Sequence, residues 1–406
     1  MEIKKCRGCG SDNLKEVIYL GNSPLANNLL DNFDEIHKVY PLKVNYCSTC
    51  HNCQLSYSVP SDEMFEHYLY VSSTASSFRN HFKEASLKYI EEYKLNKNSI
   101  VVDIGSNDGI FLKPLKEFGI KVLGVEPAKN IAKIANDAGI ETINDYFTKE
   151  ISDLILKKYG KVDLVTASNV FAHSDNLEEI ANAAFNILKD DGVFIIEVQY
   201  ILDTIKDLTF DNIYHEHVNY WSVTSINNFF NKLGYSVFRV EHINTHGGSI
   251  RLYVSKNKII ENSVNDYLIK EDDFGIKNYQ TYLQFKNDIE KIKLNVSNNI
   301  KKLKDDGYKL VGFGAPAKAT TFLNYFELTS NEIEYIVEDN NLKHNKFVPG
   351  VMIPIYPKDM VKVNTPDIII VFAWNFYEDI VKNNNELVEM GIKFISIKSL
   401  ETDINI

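Results

Sequence analysis

No run of eighteen apolar residues occurs in the 406-residue chain, so no transmembrane helix is expected. The first residues, Met1-Glu-Ile-Lys-Lys-Cys6, lack the apolar stretch of a secretory signal, and a cytoplasmic location is expected. Positive charge is in deficit. The formal net charge of −11 argues against a non-specific nucleic-acid surface or an anionic-membrane surface. Cysteine is scarce as well. Five cysteines are too few and too clustered for a disulfide scaffold, and their odd number and C-x-x-C spacing fit a reducing compartment and a metal. What is present is ordinary for a globular protein: 44% hydrophobic and 24% charged residues, in a length that suits two or three domains.

The most informative stretch is Val101-Val-Asp-Ile-Gly-Ser-Asn-Asp-Gly109, followed by Lys121-Val-Leu-Gly-Val-Glu126. It reads as strand, glycine-rich turn, helix, strand and acidic end, which is a βαβ unit. The turn runs D-x-G-x-x-x-G and lacks the G-x-G-x-x-G that cradles a pyrophosphate. A ligand without phosphates is favoured, and S-adenosylmethionine is the common one. Gly105 lets backbone approach that ligand, and Gly109 allows close helix–strand packing. Asp103, Asn107 and Asp108 line the turn, and Glu126 can accept both ribose hydroxyls. A ligand-free strand–turn–helix is the bland alternative.

Two knuckles, Cys6-Arg-Gly-Cys9 and Cys47-Ser-Thr-Cys50, can present four thiolates to one tetrahedral zinc ion. With no open coordination position, such a zinc is structural, and a segment of under sixty residues needs the staple. Free thiols or a redox pair are the alternative. Cys53 can replace Cys47 as a ligand but is expected to be a buried apolar residue. Leu20-Gly-Asn-Ser-Pro-Leu-Ala-Asn27, between the knuckles, reads as a loop that docks elsewhere. The aromatic and hydroxyl-rich stretch Tyr68 to Arg79 reads equally as a lid or as an amphipathic linker.

Downstream, helix and strand patterns alternate. A helix is expected after Pro127 with Ile131, Ile134 and Ala135 on its buried face. The strand from Lys161 ends at Ser168, with Asn169 and His173 just past it, where open α/β sheets bind ligands. Gly192 to Glu197 is another buried strand, and the whole predicts a doubly wound parallel sheet. Then comes Tyr214-His215-Glu216-His217, with His246-Gly-Gly-Ser-Ile-Arg251 beyond it. If 214–217 were extended, Tyr214 and Glu216 would share one face, and His215 and His217 the other. Histidine suits proton removal near neutral pH. Polar packing remains open, as does a metal held by His215 and His217, although H-x-H without a third ligand is a thin signal and H-E-x-x-H is absent.

Spacings of three and four from Tyr282 to Leu303 predict one long helix from Gly275 to about Asp306. A second βα unit follows, with Gly312-Phe-Gly-Ala-Pro-Ala-Lys318 as its turn. An acidic strand end at Asp339 and a strand ending in Trp374-Asn375 complete a smaller nucleotide-binding-like sheet. Backbone N–H groups and Lys318 there can hold an anion.

Taken in order, these motifs resemble the nucleoside-diphosphate 4-keto-deoxysugar 3-C-methyltransferases. The resemblance rests on the paired knuckles, the loop at 20–27, Asp-Ile-Gly-Ser-Asn-Asp-Gly at 103–109 and Asn-Val-Phe-Ala-His at 169–173. It continues through Tyr-His-Glu-His at 214–217, His-Gly-Gly-Ser-Ile-Arg at 246–251, Gly-Phe-Gly-Ala-Pro-Ala-Lys at 312–318 and Trp374-Asn375-Phe376. It implies an α/β enzyme: a class I methyltransferase doubly wound sheet flanked by a small zinc-binding domain and a C-terminal Rossmann-like domain. The implied division is 1–57 for zinc, 58–95 for a helical bridge or lid, 96–256 for S-adenosylmethionine, 257–306 for a helical linker and 307–406 for the sugar nucleotide. It further implies His217 as general base, assisted by Tyr214 and Glu216, with Tyr68 (or Tyr70 in its place) and His173 on the substrate side. Asn169 would join the cofactor residues. His215, His246, Arg251, Lys318, Asp339 and Asn375 would meet a nucleoside-diphosphate sugar, and Cys6, Cys9, Cys47 and Cys50 the zinc. An O- or N-methyltransferase acting on a nucleotide sugar, and a non-catalytic zinc and S-adenosylmethionine-binding module, are the competing readings.

Overall fold

The computed structural model describes residues 1–60, 63–64, 71–74, 76–245 and 247–402; Tyr68, Tyr70 and His246 lie outside them. In chain order the strands are β1 (Leu14–Pro24), β2 (Val39–Cys47), β3 (Cys53–Leu55), β4 (Ile100–Ile104), β5 (Lys121–Val125), β6 (Thr142–Ile143), β7 (Val162–Ser168) and β8 (Leu188–Gln199). There follow β9 (Asn219–Tyr220), β10 (Ser236–Ile243), β11 (Ser249–Ser255), β12 (Leu310–Phe313), β13 (Ile336–Val337), β14 (Ile355–Tyr356), β15 (Ile368–Val371) and β16 (Lys393–Ser396). The main helices are α1 (Ser76–Glu92), α2 (Leu112–Glu117), α3 (Lys129–Asp137), α4 (Lys149–Tyr159), α5 (Leu177–Ile187), α6 (Ile201–Lys206), α7 (Val223–Lys232), α8 (Asn262–Phe274), α9 (Tyr279–Asp305) and α10 (Ala317–Phe326).

The strands form three sheets. The central one has the order β10-β11-β8-β7-β4-β5-β6. The order reverses at β4, so the turn after β4 opens at the switch point where such sheets bind ligands. β4, β5, β6, β7 and β8 run parallel, as the alternating pattern predicts, but β11 runs antiparallel to both β8 and β10. The short connection from β10 to β11 admits only a hairpin, since a parallel pair needs a long crossover. The C-terminal sheet, β14-β13-β12-β15-β16, is parallel throughout. One contiguous apolar core runs from Tyr46 and Leu55 through Val102 and Phe171 to Phe322 and Ile370, so all three sheets share it.

The N-terminal sheet has the order β1-β2-β3-β9, and β9 comes from the middle of the chain. Cys53 pairs with Tyr220 and Gln54 with Asn219 in antiparallel register. Leu55 N–H also donates to the Val218 carbonyl at 3.0 Å. The residues directly after Tyr214–His217 are therefore an edge of the cysteine-bearing sheet.

Three local expectations change. The long helix expected from Gly275 is a single helix but begins four residues later, because Gly275 closes α8 as its C-cap and α9 starts after Asn278, whose side chain accepts from Gln280 N–H at 3.0 Å. The buried stripe of α9 is the one the spacing predicts, Tyr282, Phe285, Ile289, Ile292, Val296, Ile300 and Leu303. In α3 the buried residues are Ile131, Ala132 and Ala135, while Ile134 is exposed, because the helix turns its narrow alanine face to the sheet. Residues 214–217 form a turn, with His217 N–H donating to the Tyr214 carbonyl at 3.0 Å. The alternation of an extended segment is lost, and Tyr214 and His217 pack together with ring centroids 4.0 Å apart.

Candidate active site and zinc centre

The zinc centre is assembled by the two knuckles. Cys6 Sγ lies 3.5 Å from Cys50 Sγ and Cys9 Sγ 3.6 Å from Cys47 Sγ, and all four sulfurs fall within 4.8 Å of one another. Tetrahedral zinc with bonds of about 2.3 Å sets its sulfurs roughly 3.8 Å apart, so the donor set fits. The knuckles close by the same hydrogen bond, Gly10 N–H to Cys6 O at 2.8 Å and His51 N–H to Cys47 O at 2.9 Å. Three of the four cysteines are buried and no carboxylate joins them among the described residues, so zinc here would supply a cross-link within the fold. Cys53 is not one of the four; it is buried inside β3.

The candidate cofactor residues lie at the carboxyl edge of the central sheet. Gly105 has φ +62°, and a Cβ there would meet Val170 Cγ2 at 2.3 Å. Asn107 and Asn169 both take left-handed backbone, φ 47° and 56°, where only a few non-glycine residues are at ease. Glu126 is buried. Its Oε2 accepts from Asn107 N–H at 3.0 Å and its Oε1 from Ala128 N–H at 2.9 Å. Burial pushes its carboxyl up, against those two donors. Asp103 is also buried, and Oδ1 accepts from Thr166 Oγ1 at 2.6 Å. Burial raises its carboxyl to about 7, the Thr166 bond opposing and nearby Glu126 adding to the shift. Ser106 Oγ and Asp108 Oδ1 are buried without a hydrogen-bond partner among the described residues, which fits a polar ligand against this turn.

The bridge before β4 is tied to the same turn. Ser72 N–H donates to Asn107 Oδ1 at 2.9 Å and Ser73 N–H to Asp108 Oδ2 at 3.3 Å. Further on, His81 of α1 reaches Glu197 at the end of β8, Nε2 to Oε1 at 2.9 Å. Arg251 grips the same carboxylate through Nε at 3.1 Å and Nη2 at 2.8 Å. Burial alone would raise Glu197, yet His81 and Arg251 outweigh it and hold the carboxyl near about 2. Arg251 is thus engaged in a buried ion pair, and nothing in the sequence pattern pointed to His81 or Glu197 as its partners.

Among the candidate catalytic residues, His217 is 5% exposed and its Nδ1–H donates to the Asn212 carbonyl at 2.8 Å. A carbonyl can only accept, so the neutral ring carries its proton on Nδ1 and its basic lone pair on Nε2. His173 packs beside it, ring centroids 5.0 Å apart, and burial pushes the His173 imidazole down to about 4. Glu216 accepts from Asn27 Nδ2 at 2.5 Å, so the end of the 20–27 stretch docks here; the stretch is not a loop throughout, because Leu20 to Pro24 lie within β1 and only residues 25–27 leave the strand. His215 points the other way. It is 1% exposed, its Nε2 lies 3.3 Å from the Tyr40 carbonyl, and burial pushes it down to about 4.

The C-terminal sheet approaches the same turn. Thr321 Oγ1 donates to the Ile213 carbonyl at 3.2 Å and Thr320 Oγ1 to the Ala26 carbonyl at 2.9 Å. Trp374 Nε1 donates to Asp211 Oδ2 at 2.7 Å, and Lys318, 8% exposed, lies 4.5 Å from the Trp374 ring centroid. Burial pushes the Lys318 amine down and Asp211 opposes it. Asn375 and Asp339 are exposed. Beside Asp339, Glu338 takes the inward position: Oε2 accepts from Ala315 N–H at 2.8 Å and Oε1 from Asn340 N–H at 3.0 Å. The sequence singled out the last acid of that run, and only the short span of β13 reveals that its neighbour is the one at the strand end.

Three family models match in order. "Putative zinc binding domain" covers residues 6–65, "Methyltransferase domain" residues 63–240, and "C-methyltransferase C-terminal domain" residues 244–397. The C-methyltransferase NovU of Streptomyces niveus is 33% identical over 398 residues, which span 97% of this chain and 95% of that protein. The mitochondrial ubiquinone biosynthesis O-methyltransferase of Bos taurus is 28% identical over 101 residues, 24% of this chain and 27% of that protein. The magnesium protoporphyrin IX methyltransferase of Synechocystis PCC 6803 with bound SAM aligns with a TM-score of 0.34 at 13% identity, over 44% of this chain and 79% of that one. With the relative matched along nearly its whole length and the models in the same order, the chain belongs to the S-adenosylmethionine-dependent C-methyltransferases that carry a zinc-binding N-terminal domain and a dedicated C-terminal domain.

Proposed function

We propose that this enzyme methylates C3 of a nucleoside-diphosphate-linked 4-keto sugar through an enolate, with His217 as the base. The observation that carries the reading is the bond from His217 Nδ1–H to the Asn212 carbonyl, which fixes the tautomer and leaves Nε2 as the basic nitrogen. A sugar carbon is a poor nucleophile, but a neighbouring ketone makes its proton removable. His217 takes that proton. Tyr214 and His173, whose rings lie beside it, are suited to donate to the oxygen that gains charge. S-adenosylmethionine, when bound, supplies an electrophilic methyl group, which the enolate carbon accepts.

Asp103, Gly105, Asn107, Asp108, Glu126 and Asn169 are the residues proposed to hold that cofactor, and Lys318 and Asn375 to meet the nucleotide. In this reading residues 1–57 hold zinc, 58–95 cover the site, 96–256 bind the cofactor, 257–306 link, and 307–406 bind the sugar nucleotide. The test is exchange in deuterium oxide without cofactor, with 4-keto sugar nucleotides as substrates. Label should enter at C3, and turnover with cofactor should add one methylene by mass. Methyl transfer without any label entry would mean oxygen or nitrogen is the acceptor.

A further inference from the structure

The two glycine turns are built on one plan. In the central sheet, Gly105 N–H donates to the Val125 carbonyl at 2.8 Å, and the next residue is Glu126. In the C-terminal sheet, Gly314 N–H donates to the Val337 carbonyl at 2.8 Å, and the next residue is Glu338. Each glutamate accepts one N–H from its turn, Asn107 in the first case and Ala315 in the second. Each accepts a second N–H from the residue two places further on, Ala128 and Asn340. Both glycines have positive φ, +62° and +84°. Each carboxylate oxygen thus spends one acceptor position on backbone and keeps another for a ligand hydroxyl. Lys343 stands beside the second carboxylate at 3.7 Å, beyond hydrogen-bond range, and donates instead to the Ala315 carbonyl at 2.8 Å.

We infer that Glu338 is a second pentose-binding carboxylate, which accepts the sugar hydroxyls of the substrate's nucleoside as Glu126 is proposed to accept those of the cofactor. The orientation suits this role. The same edge of the C-terminal sheet carries Trp374, which bonds Asp211, and α10, which bonds the Ile213 carbonyl. A nucleoside seated at Glu338 would therefore have the turn of His217 on the side where its diphosphate and hexose extend. Glu338, and not the exposed Asp339, is then the acid that reads the nucleotide. The inference rests on the nucleotide-sugar reading above.

The experiment is calorimetry on the zinc-loaded enzyme with UDP, CDP, GDP, ADP and thymidine diphosphate, each beside its analogue lacking the pentose hydroxyls. The tightest diphosphate should lose at least about tenfold in affinity when its hydroxyls are removed. Glu338→Gln should bind the pair alike and keep wild-type affinity for S-adenosylhomocysteine, which also shows that it is folded. Glu126→Gln should do the reverse, weakening S-adenosylhomocysteine and sparing the diphosphate. Equal binding of the pair by the wild-type enzyme, which needs no variant, would reduce Glu338 to a brace for its turn and leave the nucleotide-sugar reading standing. A second equivalent of S-adenosylhomocysteine, lost in Glu338→Gln, would overturn the assignment to the substrate. If no diphosphate binds and no nucleotide-linked 4-keto sugar turns over, both readings fall.

Discussion

The Asn212 carbonyl holds Nδ1–H of His217 at 2.8 Å, and that one bond sets which nitrogen can receive a proton. His217→Asn should lower turnover by about 10²- to 10⁴-fold, the usual worth of a general base. Cofactor affinity by calorimetry should stay within about twofold, because the described contacts of His217 are to Asn212, Tyr214 and His173. Deuterium entry at the substrate carbon should vanish in parallel. A turnover loss below tenfold with exchange intact would remove His217 from this role.

The closest steric fit at the turn after β4 concerns Gly105. Gly105→Ala would set a Cβ 2.3 Å from Val170 Cγ2 and hold an L residue at φ +62°. A loss of stability of about 1–3 kcal/mol is expected from the backbone strain alone. Cofactor binding should weaken at least about tenfold. Gly105→Ala with Val170→Ala should recover the steric part and leave the backbone part, which thermal melts and titrations can separate.

Metal removal should be felt at the turn that carries His217. Chelation frees the four thiols, and the sheet they hold is paired through Cys53 and Tyr220 to the strand that follows His217. Loss of zinc should therefore lower the melting temperature and abolish turnover together, and both should return when zinc is restored. Full activity in zinc-free enzyme, confirmed by metal analysis, would contradict this coupling.

Acid should destabilise the fold through His215. Its folded-state value near about 4 lies below the ordinary histidine value of about 6.5. Between those values the unfolded chain binds a proton that the folded chain does not. Stability is therefore fully present above about pH 6.5 and falls as pH drops toward 4, by up to roughly 1.4 kcal/mol per pH unit from this group. Denaturant titrations at pH 7 and pH 5 should show a smaller difference in His215→Phe than in wild type.

Much of the fold could be read from sequence because its signals are local. The buried strand Ile100–Ile104, the glycine turn and the acidic end at Glu126 are contiguous, and so is the three-and-four spacing of α9. The cysteine knuckles likewise carry their chemistry in their spacing. The site was less legible where function depends on partners far apart in the chain. Asn27 and Glu216 are 189 residues apart, and His81 and Glu197 are 116 apart, so neither pair leaves a periodic trace. Residues 214–217 misled for a different reason. Alternation assumes an extended backbone, and one hydrogen bond from His217 N–H to Tyr214 O turns the chain and regroups the side chains. The strand reversal at β11 was hidden for a similar reason, since direction follows from loop length and pairing, not from side-chain pattern.

The two-residue strand β9 bears on how such a protein can be recombined. Gene-level boundaries would place Asn219 and Tyr220 with the methyltransferase segment, yet their hydrogen bonds belong to the cysteine-bearing sheet. An N-terminal segment borrowed from a relative would meet a foreign edge strand, and the mismatch would fall two residues from His217. Productive chimaeras should therefore exchange residues 212–221 together with the first sixty.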